Sequence, residues 1–200
     1  AQWPGVAFNI AVFDQTLNGF QSNIFTGTGF ALANAGKQSV YGFEFDGSVS
    51  PVDPLTLTLA VTYLQPKYDS FVNTGIFING TQIDLTGALP AGIPQLAMAM
   101  GAAYVHEFGN GAQLTGRVDY NYESPVHVVE NINGQKREVN NLNASLTLAL
   151  TNGMQFSLWG RNLMNNHYMV SMFPSVAQSG SVSGYPNQPR TYGVNAKFRF

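Results

Sequence analysis

Apolar and polar side chains alternate along the last part of the chain. Tyr192, Val194, Ala196, Phe198 and Phe200 occupy every second position, and the residues between them are small, polar or charged. A period of two over this length predicts a β-strand with two unlike faces. The alternation recurs along the chain, and no segment shows the period of an amphipathic helix. The pattern predicts about eight strands, at about 6–14, 37–49, 55–65, 95–108, 113–123, 139–151, 154–164 and 190–200.

The connections between these strands alternate between short and long. The short ones lie at 50–54, at 109–112 and at Asn152-Gly153. Asn-Gly between two alternating runs is a strong hairpin signal, because both residues tolerate positive φ. The long connections are rich in Gly, Asn, Ser and Pro, and they span about 15–36, 66–94, 124–138 and 165–189. Tight turns at one end of an up-and-down sheet and long loops at the other are typical of bacterial outer-membrane barrels.

The two faces of the strands can be placed in two ways. In a soluble barrel or sandwich the apolar columns point inward, whereas in a membrane barrel they point outward into lipid. Charged residues make up 10% of the chain, against roughly 25% in soluble domains. Arg117, Arg161 and Lys197 fall opposite apolar columns, and a cation facing lipid would cost about 2–4 kcal/mol at the midplane. With strands of about ten residues, the length needed to cross a bilayer, the pattern favours an all-β, antiparallel transmembrane β-barrel.

Several classes of chemistry have no support in the sequence. There is no cysteine, which excludes disulfides and thiol catalysis, and a net charge of −2 gives no case for nucleic-acid binding. The three histidines, His106, His127 and His167, lack metal-ligand spacing. Ser124 lies near His127, but this proximity is common by chance. We expect no metal site, no cofactor and no enzymatic activity.

Short motifs in the chain occur in the order found in a known family. The first are Gln21, Asn34-Ala35-Gly36 and the strand Gly42-Phe43-Glu44. They are followed by an Asn-Leu-x-Asn-x-x-Tyr element, with Asn162, Leu163, Asn165 and Tyr168, and by a Pro-Arg-x-x-Gly ending, with Pro189, Arg190, Gly193 and the terminal Phe200. Through these residues the chain resembles the β-barrel of TonB-dependent outer-membrane receptors.

The resemblance implies that residues 1–200 are the C-terminal portion of a larger, 22-stranded barrel, because the plug domain of the family has no counterpart among them. It implies TonB-dependent uptake of a scarce nutrient of the siderophore, cobalamin or glycan class. The location would be the outer membrane of a Gram-negative bacterium. TonB would be contacted only through the missing plug domain. Outer-membrane lipid, the outer-membrane assembly machinery and an unidentified small-molecule ligand are the other partners implied.

Three sets of residues are candidates for function. One set is expected to line the lumen and consists of the charges on the polar columns: Glu44, Asp46, Arg117, Asp119, Glu123 and Arg161. An ion pair between Glu44 and Arg117 is one hypothesis within this set. Aromatic and histidine residues of the long loops are candidates for substrate binding, with packing within the loops as the alternative: Tyr68, Phe71, Phe77, His127, His167, Tyr168 and Phe173. The last strand carries the candidate signal for the assembly machinery: Tyr192, Val194, Phe198 and Phe200.

Two other interpretations remain open on the sequence. The strands could close into a small barrel with a structural or passive-pore role, which requires 6–14 to pair with 190–200. A soluble β-barrel that binds a ligand would instead turn the apolar columns inward.

Overall fold

The computed structural model describes residues 2–3, 5–25, 30–34, 36–78, 80–130, 135–175, 178 and 181–198. All regular elements within these ranges are β-strands. In chain order the strands are β1 (Gln2–Trp3), β2 (Val6–Asn18), β3 (Gln21–Phe25), β4 (Phe30–Asn34), β5 (Lys37–Val52), β6 (Leu55–Ser70), β7 (Phe77–Ile78), β8 (Thr81–Gln82), β9 (Leu96–Glu107), β10 (Gln113–His127), β11 (Lys136–Ala149), β12 (Gln155–Arg161), β13 (Met169–Pro174), β14 (Val182–Pro186) and β15 (Thr191–Lys197).

Most strands belong to one antiparallel sheet of nine, in the order β1-β2-β5-β6-β9-β10-β11-β12-β15. The other strands form three separate hairpins within the long connections, β3–β4, β7–β8 and β13–β14. The predicted strands are confirmed as β2, β5, β6, β9, β10, β11, β12 and β15, paired in the order expected of an up-and-down sheet. The predicted all-β, antiparallel fold is therefore confirmed.

Several strand boundaries differ from the prediction. Strand β6 continues to Ser70, β10 continues to His127, and β11 begins at Lys136. These strands are longer than the roughly ten residues that cross a bilayer, and the additional length lies on the side of the long loops. Strand β12 ends at Arg161, earlier than predicted, because Asn162 has a φ of 49° that interrupts the extended backbone.

The pairing register places apolar residues of neighbouring strands on one face. One row across the sheet contains Leu55, Tyr104, Gly116, Leu146, Leu158 and Val194. The next row, on the opposite face, contains Thr56, Ala103, Arg117, Ser145, Trp159 and Gly193. We call these the apolar face and the polar face. Leu146 is 47% exposed and Val118 is 45% exposed, so the apolar face is not turned into a core as a soluble barrel would require.

The sheet has two free edges within the described residues. Strands β1 and β15 lie at opposite ends of the strand order, and no pairing there joins β15 to β1 or β2. The small closed barrel, which needs 6–14 to pair with 190–200, is therefore not formed. Lipid offers no hydrogen-bonding groups to an unpaired backbone edge, so both edges need further strands in a membrane.

A well-buried apolar cluster lies where the end of β6 meets the long loop that follows it. Tyr68, at the end of β6, is 4% exposed, and Phe71, in the following loop 71–95, is 1% exposed. The Tyr68 ring stacks on Phe20 at a centroid distance of 5.9 Å and meets Phe71 edge-on at 5.0 Å. Leu85 and Ala88 complete the cluster. Loop 71–95 thus has a small core of its own.

A glutamate ties this loop to the next one. The Tyr68 hydroxyl donates to Glu130 Oε1 at 2.7 Å, and the Ala91 N–H donates to the same oxygen at 2.7 Å. Burial, followed by the hydrogen bond and the charge of Glu130, raises the pKa of the Tyr68 phenol above its usual range. The loop is therefore held by a phenol that keeps its proton.

The raised pKa of Tyr68 predicts a loss of loop stability at alkaline pH. Unfolded tyrosine ionises near pH 10, so above that pH the folded loop binds more protons than the unfolded loop. Stability is therefore complete below about pH 10 and decreases as the pH rises further. We expect Tyr68→Phe to flatten this decrease, measured as the rate of proteolytic cleavage within loop 71–95 against pH. Tyr185→Phe, which alters an exposed phenol, is the matched control, and equal profiles for both variants would contradict the assignment.

The close approach of β6 to Gly42 leads to a second prediction about stability. A Cβ built at Gly42 in β5 would lie 2.2 Å from the Tyr63 carbonyl oxygen in β6, whereas a Cβ at Gly109 would meet no atom within 4 Å. Because the oxygen belongs to a paired strand and cannot move freely, we expect Gly42→Ala to cost about 1–3 kcal/mol. Urea denaturation of the gene product that carries this chain, in detergent micelles, measures this cost. Gly109→Ala is the control, and an equal midpoint for both variants would refute the prediction.

Candidate functional site

The predicted lumen charges all lie on the polar face of the sheet. The register places Asp46 opposite Asn9 and Ala60, Glu44 opposite Thr62, and Asp119 opposite Asn143. Glu123, Arg117 and Arg161 alternate in phase with these positions on their own strands. The polar face therefore carries both signs of charge, and the role of these residues in a lumen stays a prediction.

Two arginines on this face are paired with carboxylates. Arg117 donates to Asp119 through Nε at 2.8 Å and through Nη2 at 2.7 Å, which is the bidentate geometry favoured for this pair. Arg137 Nη2 lies 3.2 Å from Glu123 Oε2, and Arg137 Nη1 donates to the Val170 carbonyl at 3.3 Å. The second arginine thereby attaches the β13–β14 hairpin to the wall of the sheet.

The hypothesis of a Glu44–Arg117 pair is wrong. Glu44 lies on β5 and Arg117 on β10, with β6 and β9 between them. Three strand spacings amount to about 14 Å, which is too far for an ion pair. Asp119, two residues along the same strand face, is the carboxylate that Arg117 contacts. Arg117 therefore forms its ion pair within its own strand and not with a residue on another strand.

Arg161 has a different environment from these two arginines. Its guanidinium carbon lies 5.4 Å from the centroid of the Trp159 ring, a cation–π contact. Trp159 lies over Gly193 of β15, where an added Cβ would come within 2.6 Å of the indole Cζ2. The glycine thus leaves the space in which the indole lies, and the indole supports the guanidinium.

A network of asparagines follows directly after Arg161. Asn162 is 3% exposed, and its Nδ2 donates to the Asn166 carbonyl at 2.9 Å and to the Gln188 carbonyl at 3.0 Å. Its Oδ1 accepts from the Asn166 N–H at 2.9 Å. Asparagine is among the few residues other than glycine that enter the left-handed region readily, and Asn162 and Asn165 do so at φ 49° and 56°. The side chain satisfies the backbone groups that the broken strand releases.

The same network holds the base of the β13–β14 hairpin. Asn187 Oδ1 accepts from the Tyr168 N–H at 3.0 Å, and Asn187 Nδ2 donates to the Asn166 carbonyl at 2.9 Å. Asn140 on β11 donates its N–H to Asn166 Oδ1 at 3.0 Å. The Asn-Leu-x-Asn-x-x-Tyr element therefore joins the end of β12, the hairpin and β11.

These residues line an open cavity of about 390 Å³ at the loop end of β11 and β12. It is lined by amide side chains together with one cation and one phenol: Asn141, Asn143, Asn162, Asn187, Gln188, Arg161 and Tyr168, with Val170 as the apolar member. Asn141 Oδ1 is buried without a hydrogen-bond partner. Arg137 Nε and Thr191 Oγ1 are also buried without a partner in the described residues, but only Asn141 is among the residues that line the cavity, where its Oδ1 can accept a further hydrogen bond.

Sequence reasoning found only part of this site. It included Arg161 among the lumen charges and Tyr168 among the loop residues, but it did not select Asn141, Asn143 or Asn187. The available signal was the alternation of Asn141 and Asn143 on the polar column of β11. Asparagine is common throughout this chain, so this alternation does not by itself distinguish a site.

The predicted ligand-binding residues are not gathered in one place. Tyr68 and Phe71 are buried inside the loop cluster, which favours the alternative of packing within the loop, and their contact with a ligand stays a prediction. His127 is half-buried and uses its carbonyl to accept from the Gly92 N–H at 2.8 Å. His167 is exposed, and Phe173 packs near Tyr185 at a centroid distance of 6.0 Å. The side chain of Phe77 lies outside the described residues.

The candidate assembly residues lie on the edge strand and just beyond it. Tyr192 is 79% exposed and Val194 is 74% exposed, both on the apolar face of β15. Phe198 meets Phe156 edge-on at a centroid distance of 6.2 Å. Phe200 lies outside the described residues. Recognition of these residues by the assembly machinery stays a prediction.

The remaining candidates for chemistry in the described part of the chain are Ser124 and the residue types that bind metals. Ser124 Oγ accepts from the Leu96 N–H at 3.1 Å, which gives this hydroxyl a structural role. No cluster of His, Asp and Glu suited to a metal ion occurs in the described residues. The described residues also contain no helix with the length and hydropathy of a membrane span.

Comparison with known proteins agrees with the fold. The family model described as TonB dependent receptor-like, beta-barrel, matches residues 2–163. The ferric yersiniabactin uptake receptor FyuA from Yersinia pestis is 18% identical, with a TM-score of 0.74 over 98% of this chain and 28% of its own. The siderophore receptor PiuA from Acinetobacter baumannii is 17% identical, with a TM-score of 0.71 over 96% of this chain and 26% of its own.

The ferric preacinetobactin receptor BauA from Acinetobacter baumannii is 16% identical, with a TM-score of 0.65 over 98% of this chain and 27% of its own. No curated protein matches the sequence. The chain spans about a quarter of the length of these solved receptors, which agrees with a sheet whose edges are both free. The family match extends over most of the chain, and the chain belongs to the family of TonB-dependent receptor β-barrels.

Proposed function

We propose that this chain forms part of the wall and outer loops of an outer-membrane transporter that imports a scarce nutrient with energy supplied through TonB. Residues 1–200 would be the C-terminal portion of its barrel, in the outer membrane of a Gram-negative bacterium. Contact with TonB would be made by a plug domain and not by this wall.

The observation that carries the proposal is the two-faced, open sheet. Its apolar face is exposed over several strands, with Val12 80% and Leu158 57% exposed, while its polar face carries the charges and the cavity. Such a face has a physical use only against lipid or another apolar surface. Membership of the receptor-barrel family selects lipid.

A ferric siderophore is the substrate class that we favour. Solved structures with the same fold are named as receptors for ferric yersiniabactin, for ferric preacinetobactin and for ferric catecholate. A polar cavity beside an unpaired arginine suits a ligand rich in oxygen, which supports this class over a largely apolar cargo. Cobalamin and glycans are the other classes to be distinguished by experiment.

Neither a passive pore nor a soluble binder fits as well. A self-contained pore requires closure between β15 and β2, which is not found in the described residues. A soluble binder requires the apolar columns to be covered, and Val118 and Leu146 are nearly half exposed. An enzymatic role has no supporting residue set in the described chain, and the family is one of receptors and transporters.

Uptake measurements in a strain lacking the gene test the proposed function. Cells are supplied with radioiron as a catecholate, a hydroxamate or a carboxylate chelate, and with labelled cobalamin and an oligosaccharide in parallel. We expect the deletion to abolish uptake of one ferric chelate, and we expect the same loss when TonB is deleted. Uptake that needs the gene but not TonB would indicate a passive pore, and unchanged uptake of all five compounds would refute transport.

Placing an arginine on either face of β10 tests the orientation of the sheet. Val118→Arg introduces a cation on the apolar face, which costs about 2–4 kcal/mol if that face meets the bilayer midplane. Asn121→Arg introduces the same side chain on the polar face of the same strand and serves as the control. We expect the first variant to reduce the heat-modifiable folded protein in the outer-membrane fraction and the second to have little effect. Equal losses would contradict the assignment of the apolar face to lipid.

A further inference from the structure

Arg161 differs from the other polar-face arginines in having no carboxylate partner among the described residues. Arg117 lies 2.7 Å from Asp119, and Arg137 lies 3.2 Å from Glu123. Arg161 is exposed, and its guanidinium lies against the Trp159 ring. A cation that is structural in a barrel wall is normally neutralised by a neighbouring acid. Within the described residues the charge of Arg161 is therefore not neutralised, and this charge lies at the cavity.

The guanidinium is also held in place before any ligand arrives. The Trp159 indole lies beneath it at 5.4 Å, and Gly193 leaves the room in which the indole lies. Stacking on an aromatic ring occupies the face of a guanidinium and leaves its N–H groups free at the edge. Those N–H groups can donate to two oxygens of one anionic group without a large loss of side-chain entropy.

The other residues that line the cavity are uncharged, and one of their acceptors can take a hydrogen bond from a ligand. Its other polar groups are amides and the Tyr168 phenol, with no Asp or Glu among the lining residues. Asn141 Oδ1 is a buried acceptor with no partner. A ligand group that fits must therefore present an anionic oxygen to Arg161 and a hydroxyl or N–H donor to Asn141.

We propose that this cavity is a binding subsite for a carboxylate that carries a neighbouring hydroxyl or N–H donor, as part of the imported ligand. The inference rests on the proposed function and adds to it the chemistry of one part of the substrate. Its volume of about 390 Å³ lies within the range of small-molecule sites. It lies at the loop end of β12, beside the base of the β13–β14 hairpin.

Citrate is the probe that tests the subsite, because it combines carboxylates with a hydroxyl. The gene product carrying this chain, purified in detergent, is titrated with citrate and with its uncharged trimethyl ester, and saturation-transfer NMR gives the dissociation constants. We expect citrate to bind, the ester to bind much more weakly, and added salt to weaken citrate binding because the interaction is ionic.

Variants assign the binding to the cavity. We expect Arg161→Gln to raise the dissociation constant of citrate roughly ten- to hundredfold, as the loss of a charged hydrogen bond does. Arg161→Lys should recover part of the affinity, because it keeps the charge and loses the planar fork. Asn141→Leu should weaken binding about tenfold through loss of the acceptor. Lys197→Gln removes a cation from the same face at the opposite end of the neighbouring strand and should change nothing.

The outcomes separate this inference from the proposed function. Absence of citrate binding, or binding that Arg161→Gln leaves unchanged, overturns the subsite. If Arg161→Gln instead lowers only the thermal midpoint, the arginine is a contact to another part of the protein, and the subsite is equally overturned. In each case gene-dependent and TonB-dependent uptake of a ferric chelate would leave the transport proposal intact.

Discussion

The interaction on which this structure depends is the hydrogen-bond ladder of the antiparallel sheet. The ladder satisfies the backbone of each inner strand, so the side chains are free to differ completely between the two faces. Leu146 and Leu158 can then lie on one face while Ser145 and Trp159, one residue away, lie on the other. A chain with 10% charged residues can be stable in this way because the sheet has no need of a central apolar core.

Much of this architecture could be predicted from the sequence, because a period of two is a local property. The alternation in β10 and β11 fixes both the strands and their faces, and Asn152-Gly153 fixes the turn between β11 and β12. The ends of the strands were harder to predict from the sequence. The stop at Arg161 depends on Asn162, whose side chain satisfies backbone groups of Asn166, four residues on, and of Gln188, 26 residues on. A period of two carries no information about these bonds. The extension of β6 to Ser70 likewise depends on pairing with Lys37.

The candidate site was harder to predict than the fold, for the same physical reason. Tyr68 and Phe71 are aromatic residue types that often contact ligands. Here Tyr68 instead packs on Phe20 and donates to Glu130, both on other loops, and the two aromatic residues are buried. Arg117 and Arg161 cannot be distinguished by type or by face. They differ in that Asp119 lies two residues from Arg117 on its own strand, whereas the neighbours of Arg161 are Trp159 and an asparagine loop. The pairing of Arg117 is thus local, whereas the burial of Tyr68 and Phe71 depends on contacts between distant segments.

The two free edges of the sheet have a consequence for biogenesis. Each edge presents a line of unmet donors and acceptors that can recruit any extended segment nearby, including the same edge of another copy. In a complete barrel each edge must therefore pair with its neighbouring strand before self-association competes. A folding catalyst that shields β15 until the adjoining segment arrives would change the kinetic outcome without altering a single contact in the finished wall.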